Sequence, residues 1–220
     1  AAAFKKVSLK PHEVAAHIPV TDKLLRNWSA AGMILQELLR GALIEAEDEA
    51  FIRGNGVGKP VGFLATGAGG NTAAIDVPRA TANEIGYIDL LQMEASAKGT
   101  NLVYVYSRTA KTALSQMQDP AGQYIWRDAR DGVPATLNGI PAIQHDALSA
   151  LGTRGDIVLV DLSYYLIKDG FGIAVAVSEH MQFTKNRTVI KAFTNVDGKA
   201  WLTAPYKTRG GDSVSPFVVL

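Results

Sequence analysis

Residues 30–56 read AAGMILQELLRGALIEAEDEAFIRGNG. From Ala30 to Arg53 there is no proline, and glycine occurs only at positions 32 and 41. Trp28, Ala31, Leu35, Leu38, Leu39, Ala42, Ala46 and Ala50 recur at three- and four-residue steps. That period predicts a single amphipathic helix over about 29–53, capped by Ser29 and about 35 Å long at 1.5 Å per residue. Gly54, Asn55 and Gly56 supply the stop. Glu45, Glu47, Asp48 and Glu49 crowd its last turns, a continuous charged face before they are an acid–base pair.

Working outward, the chain before the helix is extended. Phe4, Val7 and Leu9 roughly alternate with lysines and Ser8, Pro11 interrupts, and Val14 to Val20 continues. Thr21 can cap a short turn over Asp22 to Asn27. After the helix, residues 54–82 hold seven glycines and read as loop. A second helix is expected from about Asn83 to Lys98, with Ile85, Ile88, Leu91 (and Leu90) and Ala95 as its apolar set. Leu102 to Tyr106 reads as a strand and Arg108 to Gln116 as a helix. Ile157 to Val160 and Ile173 to Val177 are strand-length apolar runs, and Thr188 to Val219 is strand-rich, with Val196-Asp197-Gly198-Lys199 as a hairpin turn. No repeat and no alternating strand–helix rhythm is present, so the class is α+β.

Composition narrows the function. The 220 residues suffice for one large domain or two small ones with a proper core. With 47% apolar and 20% charged residues, long-range disorder is excluded. The net charge of +1 argues against a protein whose main task is to grip nucleic-acid phosphates. The absence of cysteine removes disulfides, thiolate metal sites and cysteine nucleophiles together, and fits folding in a reducing cytosol. No stretch reaches the roughly 18–20 apolar residues of a membrane helix, so no membrane partner is expected. The sequons at Asn27 and Asn186 are read as chance, since no secretory signal opens the chain.

No chemical motif survives inspection. Gly54-Asn55-Gly56-Val57-Gly58-Lys59-Pro60 resembles a phosphate loop, but Arg53 stands where the first glycine is needed and Pro60 where Ser or Thr would hold magnesium. It also follows a helix C-terminus, the wrong dipole end for an anion. His12, His17, His145 and His180 are scattered without metal-ligand spacing. No Gly-x-Ser-x-Gly elbow marks a nucleophile. Trp28, Trp126 and Trp201 read as core or interface anchors. Lys185 to Arg209, with six basic residues and one acid, reads as a charged strand edge rather than a nucleic-acid platform. No catalytic, cofactor or metal residue is assigned.

The order of weaker motifs is more telling. It runs Ile18-Pro19-Val20-Thr21, Leu24-Leu25-Arg26, the helix ending Ala50-Phe51-Ile52-Arg53-Gly54-Asn55-Gly56, then Pro60-Val61-Gly62-Phe63-Leu64. Asp119-Pro120-Ala121-Gly122-Gln123-Tyr124, Leu137-Asn138-Gly139-Ile140-Pro141-Ala142, Gly155-Asp156 before an apolar strand, and Asn195-Val196-Asp197-Gly198-Lys199 follow. Over roughly the whole chain this resembles a tailed-bacteriophage major capsid protein, with the fold named after phage Hong Kong 97. The resemblance implies a long spine helix in a discontinuous peripheral domain (1–61 and 171–205) and a mixed α/β axial domain (62–170 and 206–220). It implies a structural subunit, not an enzyme, forming the pentamers and hexamers of an icosahedral virion around double-stranded DNA. Assembly is expected in the bacterial cytoplasm, with scaffold, portal and decoration proteins as further partners. The family's N-terminal arm and extended hairpin are missing ahead of residue 1, so the 220 residues alone are expected to stay monomeric or form small oligomers. Glu45, Glu47, Asp48 and Glu49 become candidate inter-subunit contacts, facing cations of a neighbour such as Lys5, Lys6 and Lys10 or the missing hairpin. Alternative functions are an encapsulin-like nanocompartment shell and a nucleotide-binding enzyme using Gly54 to Lys59.

Overall fold

The computed structural model describes residues 6–27, 31–66, 69–130 and 132–220. Trp28, Ser29, Phe4 and Lys5, named above, lie outside the described residues. The strands are β1 (His12–Thr21), β2 (Ile75–Asp76), β3 (Leu102–Tyr106), β4 (Trp126–Arg127), β5 (Thr136–Leu137) and β6 (Ile140–Gln144). They continue with β7 (Ile157–Asp161), β8 (Tyr165–Gln182), β9 (Arg187–Ala200), β10 (Tyr206–Lys207), β11 (Ser213–Val214) and β12 (Phe217–Val219). The helices are α1 (Asp22–Asn27), α2 (Ala31–Arg53), α3 (Tyr87–Ser96) and α4 (Lys111–Gln116).

One sheet is three antiparallel strands in the order β1-β9-β8. In β1, period-2 alternation turns Val14, Ala16, Ile18 and Val20 to one face, and α2 covers that face through Leu35, Leu39 and Leu43 packed with Ile190 and Ala192. The helix runs parallel to β9. Ahead of its start, α1 lies by the β8–β9 turn, where the Asp22 amide donates to the Asn186 carbonyl (3.1 Å). At its end, Phe51 meets the Tyr165 ring edge-on at 5.9 Å and Ile52 shares a cluster with Ala200.

The second sheet has seven strands in the order β2-β12-β7-β3-β6-β5-β4, mixed in direction. β7 is buried throughout: Ile157 and Leu159 face the cluster of Leu90, Met93 and Leu114 from α3 and α4, while Val158 and Val160 face Phe63 and Phe217. A continuous apolar strand is what a sheet covered on both faces requires. The chain leaving α2 joins the two sheets. The amides of Phe63 and Leu64 donate to Phe51 and Ile52 carbonyls (3.0 and 2.9 Å), and Val61 donates to Gly198 (2.8 Å).

Several expectations are corrected. Val196 to Lys199 is no turn but part of β9, close to its C-terminal end, where Gly198 gives the Tyr165 and Phe51 rings room against the backbone. The turn lies at Phe183 to Asn186, with Asn186 in the left-handed region (φ 51°). β9 is the central strand of its sheet, so Arg187 to Ala200 is not an edge; the edges are β8 and β1. The apolar run Ile173 to Val177 belongs to an 18-residue strand, bulged at Asp169/Phe171 and Phe171/Ala174. The second helix begins at Tyr87, where the Asp89 carboxylate accepts the Gly86 amide (2.8 Å). Its buried face is Asp89, Leu90 and Met93; Ile88 and Leu91 are exposed. In α2, Leu43 is buried and Leu38 exposed, since apolar residues lie on both flanks of the helix and the period alone does not choose between them. The third helix starts at Lys111, because Ser107 to Ala110 forms a turn closed by the Ser107 carbonyl.

Candidate subunit interface

The acidic end of α2 is the cluster of like charge that the sequence singled out. Glu45, Asp48 and Glu49 are exposed, and Glu47 is half-buried. Burial pushes the Glu47 carboxyl above its ordinary range, and the negative charges of Asp169 on β8 and Asp48 add to the shift. The fold therefore brings a fifth acid to the four that the sequence named; Asp169 is distant in sequence and only the β8 register places it there.

Arg53 lies four residues after Glu49, the spacing at which a helix pairs opposite charges, but it is not paired with it. Its guanidinium is turned to the loop after β6, donating to the Ala147 carbonyl and to Ser149 Oγ (2.7 Å). His145 Nε2 lies 3.9 Å from Asp48 Oδ2, while His145 Nδ1 accepts the Ala147 amide (3.1 Å), so the ring carries its proton toward the acid. Lys6 and Lys10 are exposed; the Lys10 amide is fixed by Asp197 Oδ2 at 2.6 Å, on the body of its own chain.

Gly54 to Pro60 is a compact turn. The Gly54 amide caps α2 on the Ala50 carbonyl (2.8 Å), and the Gly56 amide is spent on the Pro60 carbonyl (3.2 Å). Asn55 bridges Val61, and Gly56 and Gly58 take positive φ. These amides close the turn on itself rather than converging on an anion.

Buried acids elsewhere hold loops. Asp156 pairs with Arg79 (2.7 Å) and accepts the Gly152 amide (2.9 Å). Asp161 accepts from Ser163, Thr100 and Asn101; burial opposes its ionisation, but these donors prevail and lower its pKa. Trp126 is buried edge-on to Tyr106, whereas Trp201 is half exposed and stacks on Tyr164. Among the described residues no group of three or more metal-ligating side chains converges, and no helix is long and apolar enough to cross a membrane.

This architecture has counterparts. The chain is similar to the capsid protein of the native GTA particle at 21% identity and a TM-score of 0.73, over 97% of this chain and 73% of that one. It is similar to the structure from Mycobacterium phage Bobi at 18% identity and a TM-score of 0.63, over 96% and 71%. The holo-SrpI encapsulin of Synechococcus elongatus matches at 14% identity and a TM-score of 0.67, over 96% and 73%. No curated protein is significantly similar in sequence. At such identities the likeness is one of fold, the Hong Kong 97-type capsid fold. In sequence, residues 1–207 match the model of the phage capsid family, and the chain belongs to that family.

Proposed function

We propose that this chain is a structural major capsid protein that closes an icosahedral shell around double-stranded DNA. The match of residues 1–207 to the phage capsid family carries this reading. In it, α2 is the spine. Residues 1–61 and 171–205 form the peripheral domain and residues 62–170 and 206–220 the axial domain, with the break inside β8 falling at its Asp169/Phe171 bulge. Repeated heterologous contacts around five-fold and six-fold centres build such a shell. Near-neutral charge suits a wall that encloses DNA without adhering to it. The role needs no cofactor. Scaffold, portal and decoration proteins are further partners, the virion is the destination and the bacterial cytoplasm the place of assembly.

The acidic end of α2 is a subunit contact in this account, because its charge has little intrachain relief once Arg53 is committed elsewhere. Glu45→Gln with Asp48→Asn leaves the isolated subunit equally or more stable, and weakens assembly while flattening its salt dependence. Unchanged assembly across a salt series leaves only a solvated acidic face.

An encapsulin-like shell is the second reading, favoured by the structural likeness to an encapsulin. The contents of purified particles decide between them. Nuclease-protected double-stranded DNA supports the capsid; a stoichiometric protein cargo without DNA supports the nanocompartment.

A further inference from the structure

The two ends of α2 differ in charge. At its start, α1 and the β8–β9 turn present Lys23, Arg26, Lys185 and Arg187, all exposed. Two acids stand among them, Asp22, which accepts the Thr188 hydroxyl (2.7 Å), and Glu179, so four cations face two carboxylates. At its finish stand the four α2 acids and Asp169, against Lys168, His145 beside Asp48, and an Arg53 held by Ala147 and Ser149. Both ends also expose apolar side chains. Met181 and Phe183 are about three-quarters exposed at the basic end (76% and 75%), and Ile44 and Ile167 about half exposed at the acidic end (50% and 54%).

The 23 residues of α2 hold these ends about 34 Å apart. That is several times the ~8 Å screening length at physiological salt, so neither end relieves the other within one chain. A second copy carries the complement of each.

We propose that the β8–β9 turn of one copy docks on the acidic end of α2 of the next, a head-to-tail contact between like subunits. Phe183 and Met181 cover Ile44 and Ile167, and Lys185 and Arg187 face Glu45, Asp48 and Glu49. The contact is heterologous: each copy gives one end and receives at the other, so it propagates and closes only where the rotation allows a ring. It rests on the shell reading and names the partner surface that reading leaves open. The charge pairs set register and approach, while the apolar side chains supply the area removed from water.

Sedimentation of the 220-residue chain tests this with reversed ends. One variant carries Lys185→Glu with Arg187→Glu, the other Glu45→Lys with Asp48→Lys, each checked for native circular dichroism. The wild-type chain self-associates, and raising salt from ~0.05 M to ~0.5 M weakens this at least about tenfold. Each variant alone loses association, and an equimolar mixture recovers it, because every basic end then meets an acidic one. A wild-type chain without measurable self-association, variants that associate as the wild type does, or a mixture that fails to recover overturns the contact.

The cysteine-free chain allows a second measurement independent of charge. Phe183→Cys combined with Ile44→Cys gives a ladder of disulfide-linked oligomers on oxidation, and each single cysteine gives at most a dimer. A double variant that stops at dimers contradicts the head-to-tail geometry. Closed shells formed by the full-length gene product alongside failed recovery retain the shell reading and remove this contact; recovery alongside a full-length product that forms no shells retains the contact and removes that reading.

Discussion

Gly198 shows what a single residue does in this fold. A Cβ there would stand 2.7 Å from the Tyr165 hydroxyl and 2.8 Å from the Phe51 ring. That hydroxyl donates to the Val61 carbonyl at 2.8 Å, so it has no freedom to retreat. Gly198→Ala should cost about 1–3 kcal/mol in urea unfolding, the range for overpacking a filled site. Gly172→Ala, with open space around it, should stay within about 0.5 kcal/mol. Asp-Gly is a turn signal in sequence, and only the three-dimensional approach of two aromatic rings explains why this one lies inside a strand. Glu47 offers a pH prediction. Its folded pKa is raised, so its favourable contribution is complete below the unfolded value of about 4.3 and is lost as pH rises through the folded value. The stability of Glu47→Gln relative to wild type should therefore increase from ~pH 4 to ~pH 7. A difference independent of pH would show that the carboxylate is fully solvated.

At the scale of elements, α2 and β8 contrast. The period of α2 was legible because proline is absent and apolar residues recur for 23 residues. Its buried side was not, since Leu38 and Leu43 are equally apolar and only the position of β9 selects between them. Leu43→Ala should cost about 2–5 kcal/mol, and Leu38→Ala on the isolated subunit less than about 1 kcal/mol, by chemical denaturation. Comparable losses would place the helix in the wrong rotation. The 18-residue length of β8 was hidden, because Lys168-Asp169-Gly170 and Gly172 read as loop residues; bulges absorb them while pairing with β9 continues. The loops around the seven-stranded sheet are fixed by buried charge. Asp156→Ala strands the Arg79 guanidinium, only 14% exposed, and should cost about 3–5 kcal/mol. Retained stability would mean that Arg79 finds another acceptor.

For the whole molecule, the order of short motifs carried the family and the fold, because each motif alone is weak and their succession along the chain is specific. The candidate interface was half legible. Four acids were visible in one run of sequence, while Asp169 and the diversion of Arg53 to Ala147 and Ser149 depend on contacts made across the fold. The central claim is that this chain is the repeating unit of a closed shell. Electron microscopy of the full-length gene product, purified from the cells that make it, tests that directly. The account predicts uniform closed icosahedral particles whose averaged subunit density contains α2 lying on the three-stranded sheet. Folded product that remains as discrete small oligomers, with no closed particles at any salt concentration, would contradict it.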